Sequence, residues 1–240
     1  VARATAGQSG PAPRPPRPPR PIVHELGHAS YLAHYPHWLA ETAPLFAELS
    51  AESALCQESI RLFGRLVAQP RLTTWYGIEM EIATKYKTVR AIHAFPPRLE
   101  TLRAALSGIA KTEFNSVLVN YYRNGLDSVA WHADDEPALG RDPVIASLSL
   151  GATRRFVLKE RPTAGSTPSR DSKTERRFQR TEILLQDGDL AIMGGSLQHH
   201  FVHAVPKQPK LSDPRINLTF RCYHLGATQW VARATAERSR

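Results

Sequence analysis

The stretch that most constrains this chain is Arg215-Ile216-Asn217-Leu218-Thr219-Phe220-Arg221, where polar and apolar side chains alternate without a break. Successive side chains of a β-strand point to opposite faces, so Arg215, Asn217, Thr219 and Arg221 share one face and Ile216, Leu218 and Phe220 the other. That pattern predicts a strand with an apolar packing face and a polar inner face. Two inward guanidinium groups need anionic partners. They bind carboxylates through paired, charge-assisted bonds of about 1.5–3 kcal/mol each, which suits the strand to a small dicarboxylic acid.

Two upstream segments follow the same logic. In Val117-Leu118-Val119-Asn120-Tyr121-Tyr122-Arg123, the side chains of Leu118, Asn120 and Tyr122 share a face and offer an apolar contact, an amide and a phenol. In His132-Ala133-Asp134 the imidazole and the carboxylate point the same way on an extended chain, and His203 can complete a three-ligand face. Two histidines and one carboxylate are the ligand set of non-haem Fe(II), with positions left open for a cosubstrate and O2. An acidic side chain such as Asp134 or Asp135 can orient the second arginine. His199 would share a strand face with His203 but lie roughly 13 Å along it, too far to replace it at one metal.

A second metal motif competes at His24-Glu25-Leu26-Gly27-His28, with His34 downstream. On a helix His24 and His28 would share a face and Glu25 could act as general base, the arrangement of a zinc metallopeptidase. Against it, Tyr31 stands where the extended pattern needs a glycine to turn the chain.

Hydrophobic residues make up 42% of 240, enough for one substantial core. No apolar run approaches the length of a membrane span, and the basic, proline-rich start has no apolar signal segment. Only Cys56 and Cys222 are present, so no disulfide framework is expected and a reducing, intracellular compartment fits: cytoplasmic in a bacterium, nuclear in a eukaryote. A monomer is expected. The net charge of +9 is concentrated. Residues 1–20 carry Arg3, Arg14, Arg17 and Arg20 with no acid, and Lys159 to Arg180 holds seven basic against three acidic side chains. Arg233, Arg238 and Arg240 stand against Glu237 near the other end. Basic segments of this kind suit a polyanion, because counterion release adds affinity.

The chain reads as a Pro/Arg-rich disordered tail over 1–21, one domain over 22–228 and a basic tail over 229–240. Helical apolar spacing runs from Leu39 to Leu66 and again from Leu99 to Ile109. Strands are expected at about 116–122, 130–133, 144–150, 154–159, 181–186, 189–194, 199–204 and 215–223, with a tight turn at Asp187-Gly188-Asp189. The class is α+β, mainly β, with N-terminal helices bracing the sheet.

Five stretches together resemble the AlkB family of Fe(II)- and 2-oxoglutarate-dependent dioxygenases, the subgroup near the animal nuclear repair enzymes. They are Gln69 to Gly77, Phe114 to Asn124, Trp131 to Pro137, Pro143 to Arg154 and Arg215 to Arg221. The resemblance implies a double-stranded β-helix, a jelly-roll relative of the cupins. It implies Fe(II) on His132, Asp134 and His203. It implies 2-oxoglutarate held by Leu118, Asn120, Tyr122, Arg215, Asn217, Thr219 and Arg221, with Arg215 on the distal carboxylate. It further implies oxidative demethylation of 1-methyladenine and 3-methylcytosine in DNA, with RNA or a protein as alternative substrates of the same fold. Trp75 and Tyr76 would belong to a lid over the extruded base, with Asp135 and Glu136 also meeting substrate. Where many members carry Tyr-Thr-Tyr-Ser after the Trp-Tyr-Gly segment, this chain has Glu79 to Lys87 with only Tyr86 as an obvious aromatic.

Overall fold

The computed structural model describes residues 20–62, 64–77, 82–83, 88–89, 93–161 and 180–224. Apart from Arg20 and Pro21, the expected tails lie outside the described residues, as do most of the basic stretch after Lys159 and Tyr86.

The first strand, β1 (Ile22–Gly27), pairs antiparallel with β2 (Ser30–Tyr35). Helix α1 (Ala43–Ser50), a hairpin of β3 (Ser59–Leu62) and β4 (Arg65–Ala68), strand β5 (Leu72–Gly77), a short pair β6 (Ile82–Ala83) and β7 (Thr88–Val89), and helix α2 (Pro97–Ala110) follow. From there the chain is almost entirely strand: β8 (Ser116–Tyr122), β9 (Val129–His132), β10 (Ile145–Gly151), β11 (Arg154–Glu160), β12 (Arg180–Leu185), β13 (Leu190–Gly195), β14 (Phe201–Val205) and β15 (Arg215–Arg221). A one-turn helix α3 (Leu197–His200) leads into β14.

Two sheets result. The larger has the order β1-β2-β13-β10-β15-β8-β5 and the smaller β12-β11-β14-β9. From β8 to β15 the chain crosses repeatedly between them, β8, β10, β13 and β15 entering the large sheet and β9, β11, β12 and β14 the small one. That alternation is a double-stranded β-helix, the expected fold. Asp187 and Gly188 make the expected turn between β12 and β13, with Gly188 at φ 77°, a conformation that favours glycine.

Apolar side chains fall into two cores because each strand of the large sheet has two faces. Ile216, Leu218 and Phe220 join Val117, Val119, Leu148 and Leu150 under the helices, where Leu45 and Leu49 of α1 and Leu99, Leu102 and Leu106 of α2 cover them. Each such buried aliphatic side chain contributes about 1.5–3 kcal/mol of burial energy, so the helices hold the sheet by one face. The other face turns towards the small sheet, with Leu158, Phe156, Tyr122 and Met193 between them.

Three expectations are corrected. The helical spacing from Leu39 to Leu66 yields only α1; Gly64, at φ 79°, turns the chain between β3 and β4, and a hairpin forms where a helix was expected. His24-Glu25-Leu26-Gly27-His28 is the end of a strand and a turn, not a helix: Gly27, His28 and Ala29 all take positive φ. His28 bonds to Glu160 at 3.0 Å and His34 to Asp189 at 2.9 Å, so the metallopeptidase arrangement does not form. His199 lies in α3 rather than on a strand and pairs with Asp142 at 3.2 Å.

Candidate functional site

Strand pairing, rather than local sequence, assembles the site. His203 on β14 is opposite His132 on β9, and their ring centroids are 4.2 Å apart. Asp134 follows β9, and its backbone N–H donates to Gln198 Oε1 of α3 at 2.9 Å. Ligand atoms of His132, Asp134 and His203 all lie within 4.8 Å of one another, the one such cluster among the described residues. His132 Nδ1 donates to the Ala130 carbonyl at 2.9 Å, which leaves Nε2 with its lone pair. Burial pulls both imidazoles down, His203 to about 3 with His132 adding to the effect, so both are neutral and able to ligate at neutral pH.

Asp134 divides its two oxygens. Oδ1 accepts from Arg221 Nη2 at 2.8 Å, while Oδ2 is buried with no protein partner. Burial opposes ionisation of this carboxyl, but Arg221 and the two histidines outweigh it and hold it at about 2. Burial likewise works against Arg221, and Asp134 reverses that, raising it above the usual guanidinium range. The expectation that an acid orients the second arginine is met by Asp134.

The polar face of β15 continues inward. Asn217 Nδ2 donates to Ser147 Oγ at 2.8 Å and to the Leu148 carbonyl at 3.1 Å, and the Thr219 hydroxyl donates to Asn217 Oδ1 at 3.2 Å. Asn120 Oδ1 accepts from Arg71 Nε at 2.7 Å. Leu118, Asn120, Tyr122, Asn217, Thr219 and Arg221 line one narrow chamber with the three candidate ligands. Arg215 lies beyond them, its guanidinium carbon 5.3 Å from the centre of the Tyr122 ring. Its Nη2 donates to Ser149 Oγ at 2.9 Å, yet Nε and Nη1 are buried without a partner. Burial lowers Arg215 to about 10, so it remains charged at neutral pH. An unpaired buried donor costs about 1–3 kcal/mol, and a carboxylate would satisfy both.

Above the chamber opens a cleft of about 450 Å³, whose walls include Trp75, Arg71, His132, Glu136, Arg221 and Tyr223. Trp75 Nε1 and Glu136 Oε2 are buried there without protein partners, and burial raises the Glu136 pKa. Two expected substrate residues are elsewhere. Tyr76 is next to Trp75 on β5 and therefore on the opposite face, in the helix-covered core, where its hydroxyl donates to Glu52 at 2.6 Å. Asp135 pairs with Arg161 at 3.0 Å and is not among the residues lining the cleft. Sequence reasoning missed Arg71, Gln198 and Tyr223, whose partners are distant in the chain.

Residues 31–221 match the 2OG-Fe(II) oxygenase superfamily. The chain belongs to that superfamily. Its members use Fe(II) and 2-oxoglutarate, and the orphaned Asp134 oxygen, neutral imidazoles and unpaired Arg215 donors fit those groups. Among its relatives is the alpha-ketoglutarate-dependent dioxygenase alkB homolog 3 of Homo sapiens, 44% identical over 64% of this chain and 51% of that protein. The chain thus spans about half the length of the alkB homolog 3 relatives it matches. The DNA oxidative demethylase ALKBH2 of Arabidopsis thaliana is 36% identical over 82% of this chain and 68% of that protein. The solved structure of OsALKBH1 shares the fold, with a TM-score of 0.54 at 19% identity, covering 80% of this chain and 97% of that one.

Proposed function

We propose that this protein is an oxidative demethylase of N-alkylated bases, acting on 1-methyladenine and 3-methylcytosine in DNA, as a monomer in an intracellular compartment. The observation that carries the reading is the stack of a three-ligand cluster, an inner chamber ending at an unpaired arginine, and an outer cleft with an aromatic wall. The relatives named as a DNA oxidative demethylase and an alkB homolog support the substrate class. Among the described residues no helix is long and apolar enough to cross a membrane.

His132, Asp134 and His203 would hold Fe(II). Arg215 would take the distal carboxylate of 2-oxoglutarate, with Tyr122, Asn120, Asn217 and Thr219 shaping the chamber and Leu118 giving its apolar contact. When bound, Fe(II) and 2-oxoglutarate supply the oxidising power that, with O2, hydroxylates the N-methyl group and yields succinate and CO2; the hydroxymethyl group then leaves as formaldehyde. The chain's own work is placement. Arg221 keeps Asp134 ionised and fixes which oxygen faces the cluster. Gln198 anchors the Asp134 backbone. Trp75 offers an aromatic face to an extruded base, and Glu136 an acceptor or, when protonated, a donor for its edge. The buried walls exclude water.

Formaldehyde release from a single-stranded oligonucleotide carrying 1-methyladenine, with Fe(II), ascorbate and 2-oxoglutarate, tests this. Release from wild type and none from His132→Ala is the expected result. Succinate formation without formaldehyde from either methylated base would retain the oxygenase and reject the substrate.

A further inference from the structure

Trp131 immediately precedes His132 and so points to the other face of β9, where it is 43% exposed. An exposed tryptophan on an edge strand is a costly use of apolar surface. Here it has a charged companion: Lys159 Nζ lies 5.0 Å from the centre of the indole. A groove of about 170 Å³ opens beside it on the outer side of the small sheet, lined in part by Trp131, Val157, Arg180, Ala204, Pro206 and Lys207. Residues Ser128, Val129, Ala130 and Trp131 line both this groove and the candidate active cleft, so β9 is their common wall.

The charge of the groove is one-sided. Lys159 lies over the indole, and Arg180 and Lys207 line the groove with it. The nearby carboxylates are otherwise engaged: Glu182 accepts two bonds from Arg155, at 2.7 and 2.6 Å, and stands 4.0 Å from Arg180, and Glu160 bonds to His28 at 3.0 Å. Among the described residues neither Lys159 nor Lys207 has an ion-pair partner.

We propose that this groove seats a nucleotide flanking the target on a single strand, its base against Trp131 and its phosphates on Lys159, Arg180 and Lys207. The inference rests on the demethylase reading above. When the target base enters the cleft, its neighbour loses a stacking partner, and an aromatic face at the lip replaces it without reading sequence. The cations then follow the backbone away from the cleft. An acidic peptide would satisfy the charges but leave the indole without a planar partner.

The test is the anisotropy of a labelled, unmethylated single strand of about 10 nucleotides, within the footprint usual for such sites. Loss of one base–aromatic stack in Trp131→Ala is expected to weaken binding roughly fivefold to a hundredfold, with most of it recovered in Trp131→Phe. Lys207→Glu, an exposed substitution that leaves the fold alone, is expected to weaken binding and reduce the salt slope by about one unit. If wild type binds and both variants bind equally well, the groove assignment is overturned and the demethylase reading stands. If wild type neither binds nor demethylates the methylated strand, both fall. Displacement by polyglutamate as effective as by unlabelled oligonucleotide would overturn the stacked base.

Discussion

Ile216, Leu218 and Phe220 on one face of β15, and Arg215, Asn217, Thr219 and Arg221 on the other, are all at most 7% exposed. The apolar three complete a core under α1 and α2, and nothing about them calls for a further partner. Asn217, Thr219 and Arg221 line a chamber and Arg215 lies beyond it, and both arginines keep buried nitrogens without acceptors. Arg154 shows that burial alone does not create this condition. Like Arg215 it lies 5.3 Å from the centre of the Tyr122 ring, but its guanidinium donates to Gln208 Oε1 and to the carbonyls of Asn124, Asp127 and Pro206. One arginine is a closed structural knot. The other keeps two buried nitrogens without acceptors, open to the anion proposed for it. In the function proposed above, the working face is the one whose buried guanidinium groups are unfinished.

The contrast can be broken from either side. Asp134→Ala should do the most damage: turnover is lost, and Arg221 is left as an uncompensated buried charge, at a cost of about 3–5 kcal/mol in denaturant unfolding. His132→Ala, whose ring bonds to the Ala130 carbonyl and packs against His203 without neutralising a buried charge, should lose turnover with much less loss of stability. On the apolar face, Leu218→Ala should cost about 2–5 kcal/mol of stability while leaving the 2-oxoglutarate KM of the folded fraction unchanged. A raised KM there would mean that the two faces are not independent. Tyr76→Phe should have the smallest effect, roughly 1 kcal/mol, from losing the bond to Glu52. Because that bond lowers the Glu52 pKa, the difference between wild type and Tyr76→Phe should be full above the ordinary glutamate range and shrink as pH falls through the lowered value. Paired thermal melts at neutral and acidic pH would show it, and a difference that grows on acidification would contradict the pairing.

Strict alternation made the inner face legible, because a two-residue period assigns each side chain of β8 and β15 to a side without knowledge of the fold. The same parity separates Trp75 from Tyr76, but only once Leu72–Gly77 is recognised as a strand, and the aromatic pair read more readily as a lid. What parity cannot supply is pairing between distant segments. The bonds from Arg71 to Asn120, from Asp134 to Gln198 and from Arg161 to Asp135 join residues that only the pairing and packing of segments distant in sequence bring together. The overlong helix prediction failed for a local reason: apolar spacing ran across Gly64, whose positive φ turns a hairpin instead.

The most direct test of the unfinished inner face is the 2-oxoglutarate dependence of succinate formation in wild type, Arg215→Ala and Arg215→Lys at saturating Fe(II). Removing charge-assisted bonds of about 1.5–3 kcal/mol should raise the KM roughly tenfold to a hundredfold in Arg215→Ala, with partial recovery in Arg215→Lys, which keeps the charge but not the fork. An unchanged KM in Arg215→Ala would mean that the unpaired guanidinium is not the carboxylate site, and that buried, unsatisfied groups do not mark the chemistry in this chain.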